Sequence, residues 1–360
     1  MDFDYFYAQC EARENPSLKD KPVVVCVYSG RSEDSGAVAT ANYVARKYGV
    51  KSGIPIIQAK RKLRDIDAAF LPVNFDLYER VSENIMNILK EYAEKFEQVG
   101  IDEAFLDVTQ KVGGDFEKTM QLALEIQNEI MTKERITVSI GVGPNKLVAK
   151  IAAGRQKPFG LTVVRPEEVE TFLDPLPVNE LLGVGRKTTG AMEEMGINAI
   201  GDLARFDLDK LVKRFGKVLG MYFYNAARGI DASPVQERGI AESISHIPTL
   251  KEDTRDLDTI LEQAYKICVD VYERAAELKL SFKTVTVQLI LQDMSTQSRS
   301  RTFEAPIESL EALKVTAKEL FQKLLADVPA ELKARRIGVK ISNFSMTRQA
   351  QKHITEFTAR

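Results

Sequence analysis

Apolar and polar positions change period several times along the chain, and each change marks an element. Pro22–Val27 (PVVVCV) and Gly36–Ala41 (GAVATA) are short β-branched runs bounded by turn residues, the mark of strands, with a polar loop between Ser29 and Ser35. From Asn42 to Tyr48 the pattern turns helical and stops at Gly49, and Pro55 opens a short helix through Leu63. Leu77, Val81, Ile85, Ile88, Tyr92 and Phe96 recur every three or four residues and predict one stripe of a long helix. A second amphipathic helix carries Phe116, Met120, Ala123, Gln127 and Ile130, and the strand Ile136–Val142 follows. Pro144 starts another helix, Gly160 ends it, and LTVVR returns to strand. Such interleaving over 71–165 predicts a layered α/β core with helices on one face of a sheet.

Beyond Pro166 the character changes to short helices punctuated by glycines, with no strand-like run before residue 235, which predicts a separate all-helical unit. The polar stretch Asp231–Ser245 carries Pro234 and no periodicity, so it reads as a linker. A last block runs helix 256–279, strand 283–291, strand 299–303, helix 307–326 and strand 335–343, implying a further α/β domain.

Composition narrows the class. A chain of 360 residues is long enough for more than one core, and 44% hydrophobic with 28% charged residues is ordinary globular composition. No apolar run approaches the ~18 residues of a membrane span, and MDFDYFYAQ lacks the basic-then-apolar pattern of an export signal. A soluble cytoplasmic protein without membrane partners is expected. Cys10, Cys26 and Cys268 are odd in number and lack C-x-x-C pairing, which argues against a disulfide framework or a zinc site. With His246 and His353 the only histidines, catalysis must lean on carboxylates. A formal charge of −2 gives no overall sign of a nucleic-acid partner, so local asymmetry has to carry any such signal.

Two acid clusters stand out. Asp2 and Asp4 flank Phe3 at the start of an apparent strand, and Asp102 and Glu103 sit just after Gly100. Regular strand alternation would send Asp102 and Glu103 to opposite faces, so both serve one site only at a hairpin tip or bulge. Converging carboxylates without histidine or thiolate match the oxygen ligands of Mg²⁺, although acids near a turn are commonly just solvated. Phosphate-reading groups shift that balance. Thr40, Ala41 and Asn42 precede a helix whose first-turn N–H groups favour an anion; Tyr43 and Arg46 share a face of that turn, and Lys157 adds a cation before Pro158. With the carboxylates these make two halves of a metal-assisted triphosphate site. In LLGVGRKT, Gly183 and Gly185 let a tight turn aim backbone N–H groups at a phosphate beside Arg186 and Lys187, though a plain helix connection fits as well. FGKVLG at 215–220 resembles a degenerate second copy. Residues 251–279 hold five basic and eight acidic groups, whereas 333–348 hold Lys333, Arg335, Arg336, Lys340 and Arg348 and no acid. Alternation puts Arg299 and Arg301 on one face, predicting either a basic sheet face that tracks a phosphate backbone or a solvated, protected edge.

DFDYFYAQCE at 2–11, NPSLKDKPVVV at 15–25, SGAVATANYVARKYGVKSGIP at 35–55, IDEAFLDV at 101–108, GVGPNKLVAKIAA at 141–153 and KPFG at 157–160 occur in the order found in Y-family DNA polymerases. The chain resembles that translesion family over nearly its whole length, most closely the archaeal DinB-like branch. The resemblance implies an α+β multidomain right hand: palm at 1–5 and 72–164, fingers at 6–71, helix-hairpin-helix thumb at 165–231, linker at 232–240, α/β little finger at 241–345 and a tail at 346–360. It implies a low-fidelity, template-directed polymerase, a monomer apart from its partners, that inserts deoxynucleotides opposite damaged bases. Asp2, Asp102 and Glu103, with the Phe3 carbonyl, would hold two Mg²⁺ ions. Thr40, Tyr43, Arg46 and Lys157 would grip the dNTP, and Tyr7 would be the steric gate against a 2′-hydroxyl. Val27, Ala37, Ala39 and Gly53 would roof the nascent base pair. Gly183, Gly185, Arg186, Lys187, Arg299, Arg301, Arg335 and Arg336 would contact primer-template DNA. Gln351, Ile354 and Phe357 have the spacing of a sliding-clamp-binding box, with Thr358 in place of a second aromatic.

The chain departs from the family in two further places. Relatives carry apolar residues ahead of the first ligand Asp, so a short first strand and a loosely held Asp2 are expected here, with a truncated or misassigned start, or reduced activity, as the readings that follow. The segment GIAESISHI is less basic than in several relatives. Two other functions fit parts of the pattern: a non-catalytic DNA-binding scaffold that kept the fold, and a nucleotide cyclase, which would have no use for Gly183-Val184-Gly185 or a basic C-terminal sheet.

Overall fold

The computed structural model describes residues 1–237, 239 and 241–346. The chain divides into two compact units, one built from Met1–Val27 and from Val38 through the helical segment, the other from Tyr28–Ala37 and the chain beyond Gly239.

From residue 1 to residue 163 the order is β1 (Asp2–Phe3), α1 (Phe6–Glu14), β2 (Val23–Tyr28), β3 (Gly36–Ala41), α2 (Tyr43–Arg46), α3 (Ile56–Lys62), β4 (Ala69–Pro72), α4 (Phe75–Tyr92), β5 (Lys95–Gln98), β6 (Ala104–Asp107), α5 (Thr109–Val112), α6 (Phe116–Glu134), β7 (Val138–Val142), α7 (Lys146–Ala153) and β8 (Leu161–Val163). Strands pair as β1-β7-β8, β5-β6 and β3-β2-β4. Phe3, Phe6, Tyr78, Ile85, Leu89 and Ile130 belong to one core, so α4 and α6 pack on the β1–β7 ladder. Burying such side chains drives this layering at roughly 1.5–3 kcal/mol each.

Three details differ from the sequence reading. No helix was expected at 6–14, because its buried residues Phe6, Ala8, Gln9 and Cys10 are nearly consecutive and show no stripe. The α4 stripe ends at Tyr92: Ala93 is extended, and Phe96 lies on β5 opposite Leu106 because strand pairing claims it. Helix α7 stops at Ala153 with Gly154 as its cap, well before Gly160. Gly160 is needed for another reason, since a Cβ there would lie 2.2 Å from the Gln156 carbonyl oxygen.

Short helices follow: α8 (Val169–Leu173), α9 (Arg186–Glu193), α10 (Ile200–Ala204), α11 (Leu208–Phe215) and α12 (Lys217–Ala226). Their core of Leu173, Met192, Ile200, Leu211 and Phe223 is shared with Leu147, Val148 and Ile151 of α7. The helical segment therefore belongs to the same compact unit as α7 rather than standing apart.

The second unit continues with β9 (Ser243–His246), β10 (Thr249–Thr254), α13 (Leu257–Glu277), β11 (Leu280–Leu291), β12 (Thr296–Ile307), α14 (Leu310–Asp327) and β13 (Ala334–Met346). The sheet order is β10-β13-β11-β12, with β9 also on β13, and α13 and α14 cover one face. β9 begins inside the stretch read as linker. Of its four residues only Ile244 is buried, too faint a pattern to read before β13 supplies a pairing edge.

Candidate active site

β1 is two residues long, and its neighbours hold it. Asp2 pairs with Ser139 and Phe3 with Val138 of β7, while on the other side Asp2 bridges Glu103. The Phe3 N–H donates to the Asp102 carbonyl at 2.8 Å, and the Met1 ammonium donates to the Ala104 carbonyl at 2.9 Å. Val99 and Gly100 both donate to the Glu103 carbonyl, closing a tight turn between β5 and β6. Asp102 and Glu103 sit in that turn, as the alternation argument requires for both to serve one site. Three acids that are distant in sequence thus meet where a strand start touches a hairpin tip.

A cavity of about 260 Å³ opens there, lined by Asp2, Phe3, Tyr5, Phe6, Tyr7, Ala39, Thr40, Arg46, Ser52, Asp102 and Lys157. It gathers seven of the residues expected at the site besides Phe3. Glu103 and Tyr43 are off its wall. Glu103 turns toward Lys150, and the Tyr43 ring lies under the Arg46 guanidinium, 4.8 Å from its centroid. Arg46 also donates to the Ala41 carbonyl at 2.8 Å, which fixes its side chain beside β3. The helix behind these groups, α2, is four residues long, so its dipole is small and Arg46 and Lys157 carry the attraction for an anion.

Tyr7 reaches the cavity because Tyr5 takes a left-handed backbone (φ 34), turning the chain from β1 into α1. The Tyr7 ring stacks on buried Tyr78 with centroids 4.3 Å apart and planes 9° apart. Burial, with Asp102 nearby, pushes the Tyr7 phenol above its usual range, so it stays neutral. Of the roof residues, Ala39 lines the cavity; Val27 lies on β2, Ala37 on β3, and Gly53 follows β3 with a positive φ of 84 and nothing within 4 Å of a Cβ position.

Two cations neutralise the acids. Lys150 Nζ lies 2.9 Å from Asp2 and 2.6 Å from Glu103, and Lys157 pairs with Asp2. Burial opposes ionisation of Asp2, but Lys150 and Lys157 outweigh it and hold its carboxyl below the ordinary range. Asp102 is shifted the other way, first by burial and then by Asp2. Lys150 was not singled out from the sequence, and Asp4 was noted there only as part of an acid cluster, with no role of its own. Asp4 is fully buried, accepts from Ser139 Oγ at 2.7 Å and from the Phe159 N–H at 2.8 Å, and so anchors the loop that carries Lys157. For Asp4 the available signal was an acid two residues after Asp2, set between Phe3 and Tyr5. For Lys150 the signal was a cation spaced four residues from Lys146 in an otherwise apolar helix.

The donor set suits a hard divalent cation: carboxylate oxygens and a backbone carbonyl, with basic groups across the cavity where phosphates would lie. Among the described residues no three His, Cys, Asp or Glu side chains already form a cage, and the Lys150 ammonium contacts both Asp2 and Glu103.

Elsewhere, Gly183 has φ 79 and Gly185 caps α9, leaving Arg186 and Lys187 exposed at its start. Gly216, between α11 and α12, repeats the helix–glycine–helix arrangement. The basic sheet face needs correction. Arg299 pairs with Asp327, and Arg301 donates to Glu319 at 2.8 Å, so both face α14. The open face instead carries hydroxyls, with Thr284 facing Thr302 at 3.0 Å and Thr286 facing Ser300 at 2.8 Å. Alternation places Arg336 and Lys340 on that face, since Ile337, Val339 and Ile341 are buried in the core, and Arg336 donates to the Ile247 carbonyl. Arg335 lies at the register shift beside them. Gln351, Ile354 and Phe357 lie outside the described residues.

Comparison with known proteins identifies the family. Residues 1–154 match the impB/mucB/samB family, 241–354 its C-terminal domain, and 179–231 the thumb domain of DNA polymerase-iota. A DNA polymerase IV of Nitrosopumilus maritimus is 47% identical over 99% of this chain and 98% of that protein. The chain is a Y-family DNA polymerase of the archaeal DinB-like branch. A DNA polymerase IV of Saccharolobus solfataricus is 43% identical over 96% of this chain and 95% of its own length. Among solved structures, a Y-family polymerase chimera of Dbh and Dpo4 has a TM-score of 0.90 at 41% identity, covering 96% of this chain and 98% of its own. An insertion ternary complex of Dbh DNA polymerase has a TM-score of 0.68 at 40% identity, covering 96% and 98%.

Proposed function

We propose that the cavity bounded by Asp2, Asp102, Arg46 and Lys157 joins an incoming dNTP to a primer end on template DNA, with two Mg²⁺ ions held by Asp2, Asp102, Glu103 and the Phe3 carbonyl. Family membership makes the chain a DNA-directed DNA polymerase of the low-fidelity translesion class. The observation that carries the assignment of the site is the meeting of β1 with the β5–β6 turn opposite two cations in one cavity. Bound Mg²⁺ supplies Lewis acidity, easing deprotonation of a primer hydroxyl and offsetting phosphate charge. Arg46 and Lys157 hold the triphosphate, with Thr40 beside them and Tyr43 supporting the Arg46 guanidinium. Tyr7, braced by Tyr78, fills the space a 2′-hydroxyl would need. Val27, Ala37, Ala39 and Gly53 form a roof of small side chains that makes few shape checks on the base pair, in keeping with tolerance of damaged templates.

In this reading residues 1–5 and 72–164 act as palm, 6–71 as fingers, 165–231 as thumb and 241–345 as little finger, in a cytoplasmic monomer. Gly183, Gly185, Arg186 and Lys187 approach the DNA backbone, as do Arg335 and Arg336; Arg299 and Arg301 serve that role only by leaving α14. Among the described residues no helix is long and apolar enough to cross a membrane. Primer extension on undamaged and abasic templates tests the function. Template-dependent extension with Mg²⁺, including past the abasic site, is expected. DNA binding without extension would mark a scaffold, and turnover of triphosphate without template would mark a cyclase.

A further inference from the structure

The side chain that bridges two of the proposed metal ligands, Asp2 and Glu103, is itself a cation. Lys150 lies on α7, which enters the core through Leu147, Val148 and Ile151. Lys146, one turn earlier, pairs with Glu97 of β5 at 2.8 Å, so α7 aims two ammonium groups at the β5–β6 hairpin. Helix and strand approach closely because residue 141 is glycine: a Cβ there would lie 2.0 Å from the Ala149 carbonyl oxygen. That approach brings Lys150 Nζ to 2.9 Å from Asp2 and 2.6 Å from Glu103, acids that lie on different strands' ends. The Lys150 side chain is only 24% exposed. Without it, three carboxylates would share a partly dry site with Lys157 alone on Asp2, and the side chains of Asp2 and Glu103 would lose the cation that joins them.

We infer that Lys150 is a resident counter-cation: before a divalent ion arrives it holds Asp2 and Glu103 together, and it withdraws on its flexible stem when the ion binds, thereby setting the metal concentration the site needs. This rests on the reading that these acids are the metal ligands. Lys150 is a positioning residue, and its effect is on metal affinity rather than on the reacting atoms. A compact ammonium on four methylenes can leave; a guanidinium, which can grip both carboxylates in a fixed fork, gives way less readily.

The test is Mn²⁺ binding to the full chain without DNA, read from the electron paramagnetic resonance of free Mn²⁺, with melting temperatures taken in EDTA. Lys150→Met is expected to bind Mn²⁺ roughly tenfold tighter and to melt lower in EDTA, recovering when Mn²⁺ is added. Lys150→Arg, which keeps the charge, should fold like the parent and bind Mn²⁺ several-fold more weakly. Lys146→Met should leave Mn²⁺ affinity unchanged. Equal or weaker Mn²⁺ binding by Lys150→Met overturns the inference, as does equal or tighter binding by Lys150→Arg. If the parent chain shows no saturable Mn²⁺ binding that Asp102→Ala removes, the metal-ligand reading itself fails.

Discussion

Tyr7 places one ring at the cavity wall, clamped flat on Tyr78, so its van der Waals outline is fixed rather than adaptable. Replacing it by alanine should open space under the sugar and lower the preference for dNTP over the matching ribonucleotide by roughly tenfold to a hundredfold in kcat/KM. Unchanged discrimination would mean that another group reads the sugar. The cysteines make the opposite kind of prediction. Cys10, Cys26 and Cys268 are all buried, and burial pushes the Cys10 and Cys268 thiols up to about 12. The native protein should therefore give no thiol colour with Ellman's reagent until it is unfolded. At this scale most of the site was legible: Asp2, Asp102, Thr40, Arg46 and Lys157 line the same cavity as the sequence led us to expect. Lys150 and Asp4 were not, because a lysine on a helix and an Asp in an acidic cluster look like solvated groups until the fold shows what faces them.

Among the elements, the β7–α7 junction and β1 set the site's geometry. At Gly141 an added methyl would meet the Ala149 carbonyl oxygen at 2.0 Å and the Ala153 nitrogen at 2.3 Å, both backbone atoms with no room to yield. Gly141→Ala should thus cost at least about 3 kcal/mol in denaturant unfolding, and ordinary stability would show that the helix sits further off. β1 carries a buried amino group at Met1. Burial pushes this ammonium down to about 6; Asp2 and Glu103 draw it up, while Lys150 and Lys157 push it further down. The unfolded chain binds that proton up to about pH 8, so across the window from 6 to 8 the unfolded form holds more protons. Folding stability should rise with pH there and level off above it. Next to Met1 a cavity of about 440 Å³ is lined by Phe105, Leu106, Ile140 and Val142, where β7 runs past the end of β1. An extension of about five apolar residues ahead of Met1 should pair along β7, raise the melting temperature and abolish the slope between pH 6 and 8; a chain that keeps both its slope and its melting temperature would count against this. Long helices and buried strands were readable because their periods are strong. β9 and the orientation of Arg299 and Arg301 were not, since an edge strand's face is decided by acids on α14 that are distant in sequence.

For the whole molecule, the sheet β10-β13-β11-β12 with α13 and α14 encloses a core of its own, including Phe282, Val287, Leu320, Phe321 and Val339. A fragment beginning near residue 239 and ending near residue 346 should fold and melt cooperatively by circular dichroism, whereas a fragment ending after β8 should not, because α7 shares its apolar face with the helices that follow. The polymerase family was legible from long motifs in order, yet the way α7 unites catalytic core and helical segment was not, since nothing local in sequence says which core a helix face will join. The account stands on acids from β1 and from the β5–β6 turn acting together. Its most direct test is primer extension by Asp102→Ala and Glu103→Ala beside their affinity for primer-template DNA. Extension should fall by roughly a hundredfold or more with DNA binding within about twofold of the parent; extension at the parent rate would contradict it.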